Sequence, residues 1–240
     1  PHDCTTYLKK GELEPHRSKY WKIPPQQNAA FVAAMKDVLC FYHLPYGTDY
    51  PVVCMDVSNK QLIGKVRTPI PGRPGQAKRI DDEYIRNGFA QILMEGEPLA
   101  GKRHVRVTVR RTRRDGAHQI KSMLDEHYPE AIKVRLIMDN LNTHNVASPY
   151  ETFDPQEAQR LASRLEIHHT PKHGSWLNMA EIEPSVLEGQ CLDRRIADIA
   201  TMKDGVQAWK TRRNNSAKRI HWQFTTADAK VRLQSLYPKI

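Results

Sequence analysis

The chain has 240 residues, which suits one large domain, or one domain with an appendage, that buries its own core without disulfide bonds. Its 37 Lys and Arg residues outnumber its 27 Asp and Glu residues, and the net charge of +10 favours a polyanionic partner such as nucleic acid, although basic proteins without such partners are common. The 4 widely spaced cysteines form no C-x-x-C pair, and no apolar stretch is long enough to cross a bilayer. A zinc cluster, a disulfide framework and a membrane location are therefore disfavoured, and the cysteine usage suits a reducing cytosol.

The N-terminal region changes character near residue 28. Residues 1–28 are polar and basic, which is typical of a linker or an arm. Residues 28–42 have helical periodicity, with apolar side chains on one side at Phe31, Met35, Val38 and Leu39. Residues 43–50 contain a proline and a glycine, so we expect the helix to be followed by a loop.

Two short apolar runs each carry an aspartate at or near the end. Residues 51–57, PVVCMDV, include Asp56, and residues 134–139, VRLIMD, end in Asp139. A carboxylate at the end of a buried strand costs free energy unless it is paired or binds a metal. Either aspartate alone is more often a cap or turn residue. Two in matching positions favour a shared site, because active sites of open mixed sheets gather at the carboxyl ends of strands.

The segment between these two strands carries local signals for a β-hairpin. Residues 61–66 predict a further short strand, and Asn87-Gly88 predicts a turn. Residues 89–95 and 104–110 then predict the two strands of a hairpin, because the second run alternates strictly between valine and polar side chains.

Helical spacing recurs in the second half of the chain. Asp154 followed by Pro155 is typical of a helix start, with the aspartate as N-cap and the proline in the first helical position. The pattern predicts a short strand over residues 166–170 and helices over residues 115–127, 154–165, 178–191 and 201–215. Together, the strands and helices predict an α/β fold, a mixed β-sheet flanked by α-helices.

A third acidic candidate lies in residues 175–183, SWLNMAEIE. Its ordinary interpretation is helix capping, with Asn178 as the N-cap and Glu181 at the capping-box position three residues later. Without further context, that interpretation is the better one.

Two long runs carry a resemblance to a known family. Residues 134–144, VRLIMDNLNTH, and residues 170–183, TPKHGSWLNMAEIE, closely resemble bacterial insertion-sequence transposases of the mariner-type superfamily. The likeness is nearest to the branch named after insertion sequence 630. It covers essentially the whole chain, since further similar stretches lie at residues 52–62, 98–108, 190–196 and 222–229.

The resemblance implies a ribonuclease-H-like sheet and an Asp-Asp-Glu triad that cleaves DNA phosphodiesters and transfers transposon ends to new DNA. The triad positions fall on Asp56, Asp139 and Glu181, which would be both catalytic residues and metal ligands, with Glu183 as the alternative third acid. The implied cofactor is Mg²⁺ or Mn²⁺, as two ions. Hard Mg²⁺ prefers carboxylate oxygens. Two ions about 3.5–4 Å apart can activate a nucleophile and stabilise the leaving oxygen.

The implied partners are double-stranded DNA, at transposon ends and at the target, and a second copy of the chain in a homodimer, with no membrane partner. The candidate DNA contacts are Arg73, Arg110, Arg111, His144, Lys172, His173, Trp176, Arg212 and Arg213. Each has an ordinary alternative: the histidines could make local hydrogen bonds in loops, the tryptophan could anchor its loop against the core, and basic runs are often solvated faces.

Members of this family usually carry a helix-turn-helix region before the catalytic core, and this chain begins within what would be the linker after it. We therefore expect residues 1–48 to be the remaining linker and helix, residues 49–240 to form the catalytic domain, and recognition of specific ends to be weak. The resemblance also implies a bacterial cytoplasmic, nucleoid-associated location. Two alternatives stay open, an inactive or truncated DNA-binding remnant and a ribonuclease-H-like nuclease, and cleavage of an RNA–DNA hybrid would indicate the second.

Overall fold

The computed structural model describes residues 28–139 and 147–238, so the predicted DNA contact His144 lies outside the described residues. Its centre is a five-stranded sheet in the order β3-β2-β1-β4-β5. The first three strands are antiparallel neighbours, and β4 and β5 run parallel to β1. The strands are β1 (Val52–Lys65), β2 (Tyr84–Glu97), β3 (Lys102–Thr108), β4 (Val134–Met138) and β5 (Leu165–His169). The predicted mixed sheet is confirmed.

Helices flank this sheet. They are α1 (Ala29–Tyr42), α2 (Arg113–Ser122), α3 (Ser148–Thr152), α4 (Pro155–Ser163), α5 (Ile182–Leu187), α6 (Ile199–Asn215) and α7 (Thr226–Arg232). Wider π-helical turns extend α2 and α5, and short 3₁₀ turns lie at Ser175–Leu177, Met179–Glu181 and Gln234–Leu236. Sequence periodicity predicts the longer helices but not α3 or α7, and none of the helices in the described ranges could cross a membrane.

The helix starts follow from their capping residues. The Asn28 side chain accepts a hydrogen bond from the Phe31 N–H and begins α1. Asp154 accepts from the first free N–H groups of α4, as predicted, with a proline at the next position. Thr112 and Asp115 form a reciprocal capping box that begins α2.

Alternation along β1 decides which side chains reach which layer of the core. Val53 and Met55 pack in a cluster with α2 and α4. Cys54 points to the opposite face, where it packs with α1, α7 and the segment before α5. Because strand side chains alternate with a period of two, Asp56 lies on the same face as Cys54. A third cluster packs α5 and α6 on the β2 end of the sheet.

Two local predictions are wrong because both depend on how β1 pairs with β2. The run predicted as a separate short strand, residues 61–66, largely continues β1 without a break through Lys65. Asn87-Gly88 is no turn but part of β2, because Gln61 pairs with Phe89 while Ile63 pairs with Arg86. Two residues of β2 therefore face one of β1, a bulge in which Gly88 takes a φ of 94°. The same dipeptide suits a turn and a bulge, since both need positive φ.

The helix α1, which falls in the predicted N-terminal region, shares its core with other described parts of the chain. Apolar residues of α1 pack in one cluster with Ile137 of β4 and with Leu177 and Met179. The proposed division at residue 48 stays a prediction. Residues 1–27, in which the predicted linker falls, lie outside the described residues.

Candidate active site

Strand pairing brings the two aspartates to neighbouring positions. Strands β1 and β4 are parallel, and their last registered pair is Met55 with Met138. Asp56 and Asp139 directly follow this pair along the sequence, so both stand at the same level of the sheet. Asp56 is still within β1, whereas Asp139 follows the end of β4. Both side chains are half-buried.

Glu181 reaches the same place from a different element. It is the last residue of the 3₁₀ turn Met179–Glu181, directly before α5, and it is exposed. This turn contacts both β1 and β2. The third acid is therefore presented by a short turn packed on the sheet and not by the interior of a helix.

The pKa of Asp56 responds to both of the other acids. Burial is the main cause that raises the pKa of Asp56 to about 6, and the negative charges of Glu181 and Asp139 raise it further. One hydrogen bond from the Val57 N–H, 2.7 Å from the Asp56 carboxylate, acts in the opposite direction. Asp56 is thus the shared neighbour of two acids that are far away in the sequence.

The carboxylates do not form a ready-made site for a single ion. Within residues 28–139 and 147–238, no three acidic, histidine or cysteine side chains are close enough, as placed, to hold one metal ion. Asp56 is the acid whose pKa the charges of both Glu181 and Asp139 raise.

The hydrogen-bond donors that reach these acids are neutral. Asp139 accepts from the Thr170 hydroxyl at 3.0 Å and lies 3.5 Å from the Asn178 amide nitrogen. Across the described parts of the chain, none of the three carboxylates forms an ion pair with Lys, Arg or His. Within residues 28–139 and 147–238, no basic side chain pairs with the negative charge of this group. Sequence reasoning missed Thr170, and took Asn178 only as a helix cap.

Glu183, the alternative third acid, is engaged elsewhere. It is 2% exposed and bonds Arg103 at 2.8 Å and Arg213 at 3.0 Å and 3.1 Å. Burial acts to raise the pKa of Glu183, but the hydrogen bonds and charges of the two guanidinium groups outweigh it and hold the pKa below its usual value. This triad of buried Arg103 and Glu183 with half-buried Arg213 joins β3, α5 and α6. The guanidinium of Arg213, a predicted DNA contact, binds Glu183 in this triad.

Cys54 is beside Asp56 in β1 but is no candidate nucleophile. The thiol is fully buried, and burial is the main cause that raises its pKa to about 12. A protonated thiol in the core is not a nucleophile. Cys54 is a small core residue, as its apolar run predicts.

The remaining predicted DNA contacts occupy different environments. Trp176 is half-buried and packs edge-on against Phe224 with ring centroids 5.9 Å apart, which favours the predicted anchoring role over base stacking. Its neighbour in the same loop, His173, has a φ of 65°. The other candidates in the described ranges are exposed and stay predictions, namely Arg73, Arg110, Arg111, Lys172, His173 and Arg212.

Comparison with known families decides what this arrangement belongs to. Residues 51–203, more than half of the chain, match the family described as DDE superfamily endonuclease. The chain belongs to the DDE superfamily endonucleases. The matched range of this DDE endonuclease includes all three acids, Asp56, Asp139 and Glu181. No curated protein matches the chain.

Solved structures share the fold of this DDE endonuclease at low sequence identity. The Mos1 transposase paired-end complex with left transposon end matches with a TM-score of 0.53 and 13% identity over 89% of this chain and 66% of that chain. The Mos1 strand transfer complex matches with a TM-score of 0.56 and 11% identity over 89% of this chain and 63% of that chain. The mariner Mos1 paired end complex with Mg matches with a TM-score of 0.52 and 12% identity over 98% and 71%.

These matches establish the ribonuclease-H-like fold that the resemblance implies. The chain spans just under two thirds of the first of these relatives.

Proposed function

We propose that this chain is the catalytic core of a DNA transposase, which hydrolyses phosphodiesters at transposon ends and transfers the ends to target DNA. One observation carries the proposal. In a DDE endonuclease, the half-buried Asp56 stands beside Asp139 and Glu181 with no cationic side chain in the described ranges to balance them.

Such a group of acids is unfavourable on its own. Two unit charges 4 Å apart interact by about 4 kcal/mol at an effective dielectric of 20. Buried acids normally find a partner, as Glu183 does with Arg103 and Arg213. We infer that the partner of Asp56, Asp139 and Glu181 comes from outside the chain, and that it is a cation.

Divalent metal ions fit the donor set. Carboxylate oxygens are the ligands that Mg²⁺ prefers, with water and substrate phosphate completing its shell. We propose that two ions bind, as the resemblance implies, and that Asp56, Asp139 and Glu181 would hold them through their carboxylate oxygens. Bound Mg²⁺ or Mn²⁺ would activate the attacking water or hydroxyl and stabilise the leaving oxygen. Complexes of Mos1, which shares this fold, contain Mn or Mg.

The described groups around the acids can orient them. Thr170 donates to Asp139, and the Val57 N–H holds one oxygen of Asp56. With Cys54 buried and protonated, the attacking group in the proposed reaction is water during cleavage and a DNA 3′-hydroxyl during strand transfer.

DNA is the proposed substrate, and a homodimer is the proposed assembly. The net charge of +10 supports attraction to a polyanion. Exposed basic side chains are available to contact phosphates at Arg73, Arg110, Arg111, Lys172 and Arg212. Structural neighbours were solved as paired-end complexes. Two transposon ends held together would need two catalytic sites.

The test is metal-dependent DNA cleavage and joining. The protein is incubated with supercoiled plasmid and with a duplex bearing a free 3′-hydroxyl, in Mg²⁺, in Mn²⁺ and in chelator. We expect nicking and joining only with metal, and neither with Glu181→Gln. Glu188→Gln is the matched control, because Glu188 is a nearby acid that pairs with Lys60. Folded protein without cleavage in either metal would overturn the proposal, and preference for an RNA–DNA hybrid would replace it with a ribonuclease.

A further inference from the structure

We propose that Asn178 is the positioning residue that fixes the three acids relative to one another, an inference that rests on the proposed function for the identity of the site. The carboxamide of Asn178 makes a contact at each of the three elements that carry Asp56, Asp139 and Glu181. It would act through these acids and would touch neither DNA nor the reacting atoms.

This one side chain contacts Asp139 directly and contacts the backbone immediately before Asp56 and before Glu181. The Asn178 amide nitrogen donates to the Met55 carbonyl oxygen at 2.9 Å, and that carbonyl belongs to the peptide that links Met55 to Asp56. The same nitrogen is 3.5 Å from the carboxylate of Asp139. The amide oxygen accepts from the Ala180 N–H at 3.1 Å, one residue before Glu181. One rigid planar group therefore spans β1, the end of β4 and the turn before α5.

The chemistry of the site requires a carboxamide. A carboxamide has two N–H donors and an acceptor oxygen, which match two oxygen acceptors and one N–H donor here. With the amide reversed, its oxygen would face the Met55 carbonyl and Asp139, both of which only accept. Aspartate would lose both donors and add a negative charge. Because Asn178 is 1% exposed, water does not replace a lost partner.

The backbone on both sides of Asn178 is held independently. The Tyr42 hydroxyl donates to the Leu177 carbonyl at 2.7 Å and accepts from the Met179 N–H at 3.1 Å. Tyr42 lies at the end of α1 and is buried, so the segment is fixed to a helix packed on the sheet. The amide of Asn178 is thus aimed from a fixed backbone. Its loss would remove the link to the acids while Tyr42 kept the segment in place.

If the three acids are held less firmly, the activity with Mg²⁺ should fall more than the activity with Mn²⁺. Mg²⁺ demands near-ideal octahedral geometry. Mn²⁺ tolerates more distortion, so it should rescue misplaced ligands in part. A displacement of about 1 Å in an active site can cost about 100-fold in rate. A residue that only stabilised the fold would lower the activity with both metals in the same proportion.

The experiment compares Asn178→Ala with Asn214→Ala. Asn214 is a matched control, because its amide also bridges two elements. It accepts from the Arg103 N–H at 2.9 Å and donates to the Arg103 carbonyl at 2.8 Å, and in the described ranges it has no hydrogen bond to the three acids. The readouts are Mn²⁺ affinity by isothermal titration calorimetry, plasmid nicking in each metal, and melting temperature.

We expect Asn178→Ala to weaken Mn²⁺ binding about tenfold and to raise the ratio of Mn²⁺-dependent to Mg²⁺-dependent nicking about tenfold. Asn214→Ala should lower the melting temperature and leave both quantities unchanged. Equal loss with both metals together with unchanged Mn²⁺ affinity would overturn the inference. If Asn178→Ala does not fold, Asn178→Ser replaces it, since serine can still cap the Ala180 N–H but does not reach Met55.

The failure of this inference can be told from failure of the proposed function. Wild-type protein that binds Mn²⁺ but never cleaves DNA would contradict the proposed activity, while the affinity difference between the Asn178 and Asn214 variants would still decide the role of Asn178. Cleavage by the wild type with no change in Asn178→Ala would contradict the positioning role alone.

Discussion

Two glutamates of the same short segment, Glu181 and Glu183, have opposite environments. Glu181 is exposed on a turn and adds to the negative charge at Asp56, with no cationic side chain beside it in the described ranges. Glu183 is buried between Arg103 and Arg213, and their guanidinium groups hold its pKa below the usual value against the effect of burial. The comparison teaches that the role of an acid is set by what faces it, because sequence position alone barely separates these two.

The largest expected effect concerns the acids without cationic partners. Asp139→Asn keeps the hydrogen-bonding shape but removes one metal-holding charge, so we expect DNA cleavage to fall by at least about 100-fold. The measurement is the initial rate of plasmid nicking in Mg²⁺. Glu183→Gln is the contrasting variant, and we expect its nicking rate per folded molecule to be close to that of the wild type. Nicking by Asp139→Asn at the wild-type rate would remove Asp139 from the site.

The next effect is on stability at the other glutamate. Glu183→Gln leaves Arg103 and Arg213 without their carboxylate in a buried position, and removal of one partner from a buried ion pair costs about 3–5 kcal/mol. We expect a loss of about 3 kcal/mol in the free energy of unfolding, measured by urea denaturation. Glu181→Gln, on the exposed turn, should change it by less than about 0.5 kcal/mol. Equal losses in the two variants would erase the distinction between the two glutamates.

A third effect is the pH dependence that burial of Asp56 creates in the absence of metal. Its pKa of about 6 in the folded protein lies above the usual value of 3.8, so the folded state holds the proton more tightly than the unfolded state. The stabilisation from protonated Asp56 is therefore complete below about pH 4 and is lost as the pH rises through about 6. We expect the free energy of unfolding to fall by about 2 kcal/mol over this range, and Asp56→Asn should not show the fall.

The measurement for Asp56 is urea denaturation in chelator at pH 4.5 and pH 7.5. The difference in stability between wild type and Asp56→Asn should grow in favour of the variant at the higher pH. A constant difference at both values would show that the environment of Asp56 does not favour its protonated form.

The smallest expected effect belongs to the exposed basic residues. Arg110 and Arg111 follow β3 and are exposed, with no carboxylate paired to them in the described part of the chain. Each Arg→Gln change should weaken binding to duplex DNA several-fold and reduce the salt-dependence slope by about 1. Arg160→Gln is the control, because Arg160 already pairs with Asp125 and Glu157. A slope unchanged in all three variants would place the DNA on another face.

Local patterns predict much of the fold. The apolar runs that lead to Asp56 and Asp139, the hairpin and α1 follow from periodicity and capping, all of which act over a few residues. The continuation of β1 to Lys65 and the bulge at Gly88 were not predictable in this way, because both depend on pairing between β1 and β2. The short helices α3 and α7 have too few turns for a periodic signal.

The candidate site also contains residues that the sequence could identify and residues that depend on long-range contacts. The three acids could be named because they lie in runs that resemble a known family. Their neutral partners could not, since Thr170 and Asn178 contact Asp139 across 31 and 39 positions of sequence, which no local pattern indicates. The assignment of Arg213 to Glu183 also depends on contacts between α5 and α6 that no local pattern contains. Long-range pairing therefore decides which charges are structural.

The central claim is that the unbalanced carboxylates hold divalent metal, and a crystal soaked in Mn²⁺ tests it most directly through anomalous scattering. We expect anomalous peaks within about 2.0–2.3 Å of carboxylate oxygens of Asp56, with Asp139 and Glu181 sharing the coordination, and none at Glu183. Peaks confined to other surfaces, with these three acids free of metal at saturating Mn²⁺, would contradict the account.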